Sequence, residues 1–480
     1  MRAPAPWRAL RGPAAATLAL LALAGCGGEP YDLALEGGRL VDPASGTDGV
    51  RTLGIRDGTV ERVSQGPLEA RDTLDAEGLV VAPGFIDLLA EYPEEDEGAE
   101  LKAFDGVTTM VAMAGVPEDL ESWYREREER GALLHFGAAA GLASLRQEAG
   151  ATEPHRPASP EQVEAMAERA QELVEAGAPG LGLEILQHPG ASRAEILRLF
   201  QVAAEKGVPV HTRIRHFGDV DPATSGVAAL QEVVAASAAT GARTQVLHMN
   251  SMLAPVEQMT NGLELLEGAR ARDVPVSASV YPYTAAASGV HTASFDPGWQ
   301  ERYGGLAYQD LRLVSTGESL DEERFYRYRQ RDTVEVIMDY MPEESVEAAL
   351  VHPSVSVASD GVIEGGRGHP RGAGTFARVL GRYVREKGLL SLPEAVEKMA
   401  LLPAEALADA VPAMKRKGRI EPGADADVVV FDPQRVRDGA TFDEPALSSR
   451  GMVHVLVGGE AVIRAGALRA DASPGRPIRR

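Results

Sequence analysis

The chain has 480 residues, 44% hydrophobic and 25% charged: too long for one small module and sufficient for a large barrel with a satellite domain. Its 48 Lys and Arg face 71 Asp and Glu, a net charge of −23 that repels phosphate backbones and argues against a nucleic-acid partner. A single cysteine excludes an intramolecular disulfide and a thiolate metal cluster.

The first residues are basic (Arg2, Arg8, Arg11), then apolar from Ala14 to Leu23, then small before Cys26. This order reads as a secretory signal over residues 1–25, with an apolar run too short for a comfortable membrane span. Leu23-Ala24-Gly25-Cys26 resembles a bacterial lipobox. That resemblance implies lipidation at Cys26 and an exported protein anchored at the cell envelope, on the periplasmic side or the cell surface. Acyl chains contribute roughly 0.8 kcal/mol per buried methylene. A plain signal peptide with a chance cysteine is the alternative.

Residues 31–82 read as short strands, with Leu53-Gly54-Ile55 leading into Asp57-Gly58, a strong hairpin signal. The middle of the chain then alternates apolar runs with amphipathic helices. The runs are Leu79 to Ile86, Val107 to Met113, Leu133 to Ala140, Gly180 to Leu186, Val208 to Ile214, Thr244 to Met249, Val274 to Val280 and Val355 to Ser359. Between them, Ser159 caps a helix that Pro160 opens, Val163, Met166, Ala170 and Leu173 form its buried stripe, and Gly177 stops it. A second clear helix begins at Thr375 and ends at Gly388. Eight buried strands in repeated β-then-α units predict a closed (β/α)8 TIM-like barrel over residues 83–417, with reactive groups at the C-terminal strand ends. A doubly wound open sheet is the competing architecture. Residues 285–350 break the alternation with aromatic and charged side chains, and read as an insertion over the barrel mouth, either a lid or packing decoration. Residues 418–480 return to strand character, so both chain ends are expected to build one small β-sandwich domain.

Two strings bracket this organisation, Asp75 to Asp87 (Asp-Ala-Glu-Gly-Leu-Val-Val-Ala-Pro-Gly-Phe-Ile-Asp) and Gly423 to Phe431 (Gly-Ala-Asp-Ala-Asp-Val-Val-Val-Phe). Inside them lie Asp105-Gly106-Val107-Thr108-Thr109, Leu247-His248-Met249-Asn250-Ser251, Tyr281-Pro282-Tyr283-Thr284, Ala358-Ser359-Asp360-Gly361 and Gly368-His369-Pro370-Arg371. Together these resemble the amidohydrolase superfamily, and within it the D-aminoacylase branch of N-acyl-D-amino-acid deacylases. The resemblance implies metal-assisted hydrolysis of a carbon–nitrogen bond. A divalent ion held by His and carboxylates would activate water, and the carboxylate after the last strand, here Asp360, would carry the proton.

The ligand positions that the resemblance implies are altered. The His-x-His after the first strand is Leu89 and Glu91, and the second strand offers only Met110-Val111-Ala112-Met113-Ala114. On the fifth strand the family's His-x-Arg reads Arg213-Ile214-Arg215, placing a fixed cation at a ligand position. His248, Asp360 and Glu91 remain as residual donors, His248 being equally readable as a polar pocket wall. Arg213 is expected to supply the missing positive charge beside Asp360, Glu91 or both. His211 shares the Arg213 face, as a core histidine or a shifted ligand. Tyr281, Tyr283, Arg215 and Arg371 match substrate-contacting positions, with a structural ion pair as the alternative for Arg371. His369 and His188 read as structural. No phosphate-cradling Gly loop before Lys-Ser/Thr and no Gly-x-Ser-x-Gly elbow is present, so NTP binding and serine hydrolysis lack support.

The leading expectation is therefore a lipid-anchored homologue of D-aminoacylase without a resident metal, keeping a pocket for a small N-acyl amino acid or peptide fragment. The runner-up is an active amide hydrolase with one zinc held by Glu91, His211, His248 and Asp360. A third reading keeps the barrel as an interaction scaffold.

Overall fold

The computed structural model describes residues 1, 29–90, 97–116, 119–331 and 333–480; the signal segment, Cys26 and Glu91 lie outside the described residues. Eight parallel strands follow one another in chain order around a barrel: β1 (Phe85–Asp87), β2 (Val107–Val116), β3 (His135–Gly141), β4 (Leu181–Glu184), β5 (Val210–Arg213), β6 (Thr244–Val246), β7 (Val276–Val280) and β8 (Val355–Val357). Each coincides with a predicted apolar run, because a strand covered on both faces has no polar side to display.

The first run is the exception: it serves two sheets. Val80–Pro83 belongs to the small domain, and the chain enters the barrel only after Gly84. A Cβ at Gly84 would lie 2.3 Å from Thr108 Oγ1, so the crossing needs glycine.

The seam between β8 and β1 carries little backbone pairing. Asp360 N donates to Leu89 O at 2.9 Å, and Ala90 bridges Gly361. Buried side chains complete the closure. Asp87 accepts Lys102 Nζ at 2.8 Å, Ser359 Oγ at 2.5 Å, Ser359 N at 3.0 Å and Leu89 N at 3.2 Å, and Lys102 also donates to Ser359 Oγ.

The helix Pro160–Glu175 carries the expected capping box at Ser159 and buries Met166, Ala170 and Leu173. The later helix starts at Arg371, four residues before the predicted Thr375, and continues as wide π-type turns over Val379–Glu386 to Gly388. Gly372 and Gly374 weaken its first turns as a sequence signal, but tertiary bonds outweigh propensity there. The buried Asp105 carboxylate accepts Phe376 N and Ala377 N at 2.8 and 2.9 Å, which disrupts the regular ladder at that turn.

Both chain regions flanking the barrel share one nine-stranded sheet, joined where Val428–Phe431 runs antiparallel to Val80–Pro83. Leu35, Leu53, Ile55, Val60, Val428 and Leu456 form its own core. Asp427 ties this domain to β3, accepting His135 Nε2 at 3.0 Å, Lys417 Nζ at 2.6 Å and Gly458 N at 2.7 Å. Residues 474–480 lie back along β3: Ile478 is fully buried, its N donates to Phe136 O at 2.6 Å, and its O accepts Tyr124 Oη at 2.8 Å.

Between β7 and β8 the insertion forms a three-stranded antiparallel sheet, Ala285–Gly289, Arg312–Leu313 and Glu335–Asp339. Phe295, Trp299, Tyr303 and Phe325 pack as a buried aromatic cluster beside it. Tyr303 and Tyr340 line a cavity together with Asp360.

Candidate functional site

Asp360 sits just past the C-terminal end of β8, where a barrel concentrates its chemistry. Its backbone is left-handed, with φ of 51°, and His248, just past β6, has φ of 33°. Strain of this kind in non-glycine residues persists only where the surroundings hold it, and it gathers at functional positions.

The Asp360 carboxylate is gripped from both sides. Arg213 Nη2 donates to Oδ1, and Arg371 Nη2 lies 2.8 Å from Oδ2. His248 Nε2 stands 3.7 Å from Oδ2. Burial alone would raise the Asp360 pKa, but Arg213, Arg371 and His248 together carry it well below the usual carboxylate range. The Arg213 guanidinium extends further, its Nε lying 3.0 Å from Glu184 Oε1 at the end of β4. Burial raises the Glu184 pKa, opposed by Arg213. Two guanidiniums thus face two carboxylates in a space nearly closed to water.

His248 is neutral near pH 7, since burial pushes its pKa down to about 3. Nδ1 contacts Ser251 Oγ at 2.7 Å, and among the described residues Nε2 has no hydrogen-bond partner. Tyr281 is fully buried beneath the Arg371 guanidinium, 4.5 Å from its ring centroid, and burial pushes its hydroxyl up to about 12. Among the described residues Arg371 Nε and Nη1 also have no hydrogen-bond partner. Tyr283 donates to Pro370 O at 3.4 Å beneath Arg378. His369 links the two: its Nδ1 accepts Arg371 N at 3.1 Å, so Nε2–H donates to Ala285 O at 3.1 Å.

The structure therefore brings Arg213, His248, Tyr281, Arg371 and Asp360 together. Arg215 stands in a different set of contacts, donating to both Glu232 oxygens at 2.6 and 2.9 Å and to Pro189 O and Ala191 O at 2.8 and 2.6 Å. His211 lines a separate cavity with Gln245, Ser277 and Ser356, and burial pushes its pKa to about 3. His188 does not line the Asp360 cavity, and Leu89 packs with Leu247 and Ala358 in a small apolar cluster. Glu184 is the residue that the sequence reading missed; its one signal is an acid ending the apolar strand Leu181-Gly182-Leu183.

A divalent ion does not fit this donor set. Zinc needs donors at about 2.0–2.3 Å with no competing cation, whereas here guanidinium nitrogens occupy the inward carboxylate oxygens. Among the described residues, no three His, Cys, Asp or Glu side chains converge as a metal site would require. Chemically, the site can hold and orient a polar ligand. Arg213 and Arg371 hold Asp360 below the usual carboxylate range, and burial lowers the pKa of His248.

Residues 106–463 match the model of the amidohydrolase family. The chain is 33% identical to the N-acyl-D-glutamate deacylase of Alcaligenes xylosoxydans xylosoxydans, over 94% of this chain and 97% of that one. It is 30% identical to the D-aminoacylase of the same organism, over 90% and 95%. The crystal structure of N-acyl-D-glutamate deacylase from Bordetella bronchiseptica, complexed with zinc and a phosphonate inhibitor that mimics the tetrahedral intermediate, superposes with a TM-score of 0.81 at 30% identity, covering 94% of this chain and all of that one.

Proposed function

The chain belongs to the amidohydrolase family, close to the D-aminoacylases, and from that premise we propose that it binds a small N-acyl amino acid or peptide fragment without hydrolysing it by the metal-dependent route. The observation that carries this reading is the Asp360 carboxylate held between Arg213 and Arg371. A carboxylate so engaged is a weak proton acceptor, and a fixed guanidinium cannot polarise a water as a dication does. The pocket keeps features suited to an acylated amino acid. Arg371 keeps Nε and Nη1 without a hydrogen-bond partner among the described residues, Tyr281 lines the cavity, and Leu186, Met252 and Met338 offer apolar contact.

The cavity between these groups is only about 30 Å³, room for a water or two. Ligand entry therefore requires lining side chains to move. The same closure favours the second reading, an envelope scaffold that binds no small molecule. The lipobox-like string Leu23-Ala24-Gly25-Cys26 supports an exported, lipid-anchored location. No helix among the described residues is long and apolar enough to cross a membrane.

The test is calorimetric titration of the purified chain with N-acetyl-D-amino acids spanning acidic, apolar and aromatic side chains, with released amine assayed in parallel. Saturable binding without amine release is expected. Amine release abolished by a chelator would overturn the proposal, and no binding across the panel would favour the scaffold.

A further inference from the structure

The positive charge at the barrel mouth has a specific origin. A divalent ion brings two charges at one point. Here the same total arrives as two fixed guanidiniums, each holding one oxygen of Asp360. Arg213 does more: its Nε and Nη2 span Glu184, the last residue of β4, and Asp360, just past β8. Glu184 Oε1 stands 3.0 Å from the nitrogen, whereas an ion draws oxygens to about 2.0–2.2 Å. His248 Nε2 opens onto the same space, 3.7 Å from Asp360.

We infer that Arg213 is an internal substitute for a divalent cation, supplying to Glu184 and Asp360 the positive charge that an ion would otherwise bring. Two consequences follow. The native chain is indifferent to zinc and to chelators, because its charge compensation is covalently attached. Removing the guanidinium takes the cation away from between Glu184 and Asp360, leaving Asp360 paired with Arg371 alone, and a soft-to-borderline dication such as zinc is then the species that restores the lost charge. This inference stands on the geometry around Arg213 and does not require any N-acyl ligand to bind. Failure in the ligand titrations leaves it intact, and failure here leaves ligand binding intact.

The experiment compares the wild-type chain with Arg213→Ala and Arg213→Lys by metal content, zinc calorimetry and thermal melting with and without EDTA. Wild type is expected to hold far less than one zinc per chain and to melt at the same temperature in EDTA. Arg213→Ala is expected to melt lower, to recover part of that loss in zinc, and to bind zinc roughly 100-fold more tightly than wild type or more. Arg213→Lys keeps a cation in place and is expected to remain zinc-free. Stoichiometric zinc in wild type with a lower melting temperature in EDTA overturns the inference. So does a folded Arg213→Ala with no gain in zinc affinity. Should Arg213→Ala fold only when zinc is present, the inference is supported. Should it fold in neither condition, the wild-type metal content and EDTA response decide.

Discussion

Replacing Lys102 by Met tests how the barrel is closed. The Lys102 ammonium is 2% exposed and meets an Asp87 carboxylate that is completely buried, at the seam where β8 and β1 share little backbone pairing. Removing one partner of a buried pair typically costs about 3–5 kcal/mol, because the other charge is left uncompensated. Asp87 keeps three other donors, Leu89 N, Ser359 N and Ser359 Oγ, so the lower end applies. A loss of about 3 kcal/mol corresponds to a melting temperature lower by about 3 °C in a chain of this size. Adding Asp87→Asn removes the stranded charge, so the double variant should cost less than the sum of the two singles, with a coupling of about 2 kcal/mol. Thermal melting and urea unfolding of the four proteins measure the cycle. A single-variant loss below about 2 °C, or strict additivity, refutes the claim that this cluster fastens the seam.

Acid stability follows from the buried titratable groups. His211 and His248 take up a proton in the folded chain only near pH 3, against about 6.5 when unfolded, so their contribution is complete above about 6.5 and declines as the pH falls. Asp360 and Asp427, both held below the ordinary carboxylate range, add a further loss below about pH 4. Melting temperature against pH should therefore fall from about pH 6.5 downward, and His211→Gln should flatten the upper part of that limb. Ile478→Ala should cost about 2–4 kcal/mol in urea unfolding, since its side chain is fully buried under β3. Arg215→Met should lower the melting temperature by an amount similar to Lys102→Met, because it breaks the pair with Glu232 and frees two carbonyls. Loss of ligand affinity at unchanged stability would instead make Arg215 a ligand contact.

The barrel was legible because its eight strands are apolar runs separated by helices with clear caps, such as Ser159-Pro160. Local pattern carries that information. The division of the first run at Gly84 was not legible, since it depends on how closely Thr108 approaches. The same limit applies to charge. Arg213 and Asp360 stood out by motif position, yet Glu184 became part of the site only through the register of β4 beside β5. Lys102, Asp87 and Ser359 meet across the barrel seam, a contact no spacing rule anticipates. Arg215 matched a motif position, but its partners Glu232, Pro189 and Ala191 are set by loop geometry.

The pairing of Val80–Pro83 with Val428–Phe431 has a bearing on biogenesis. Nearly the whole barrel is synthesised between these strands. Until the second emerges from the ribosome, Val80–Pro83 lacks its antiparallel neighbour and the early meander keeps an apolar face without its cover. A nascent chain arrested within the barrel is thus a sticky species, a natural client for a holding chaperone, whereas the finished polypeptide seals that edge in one late step.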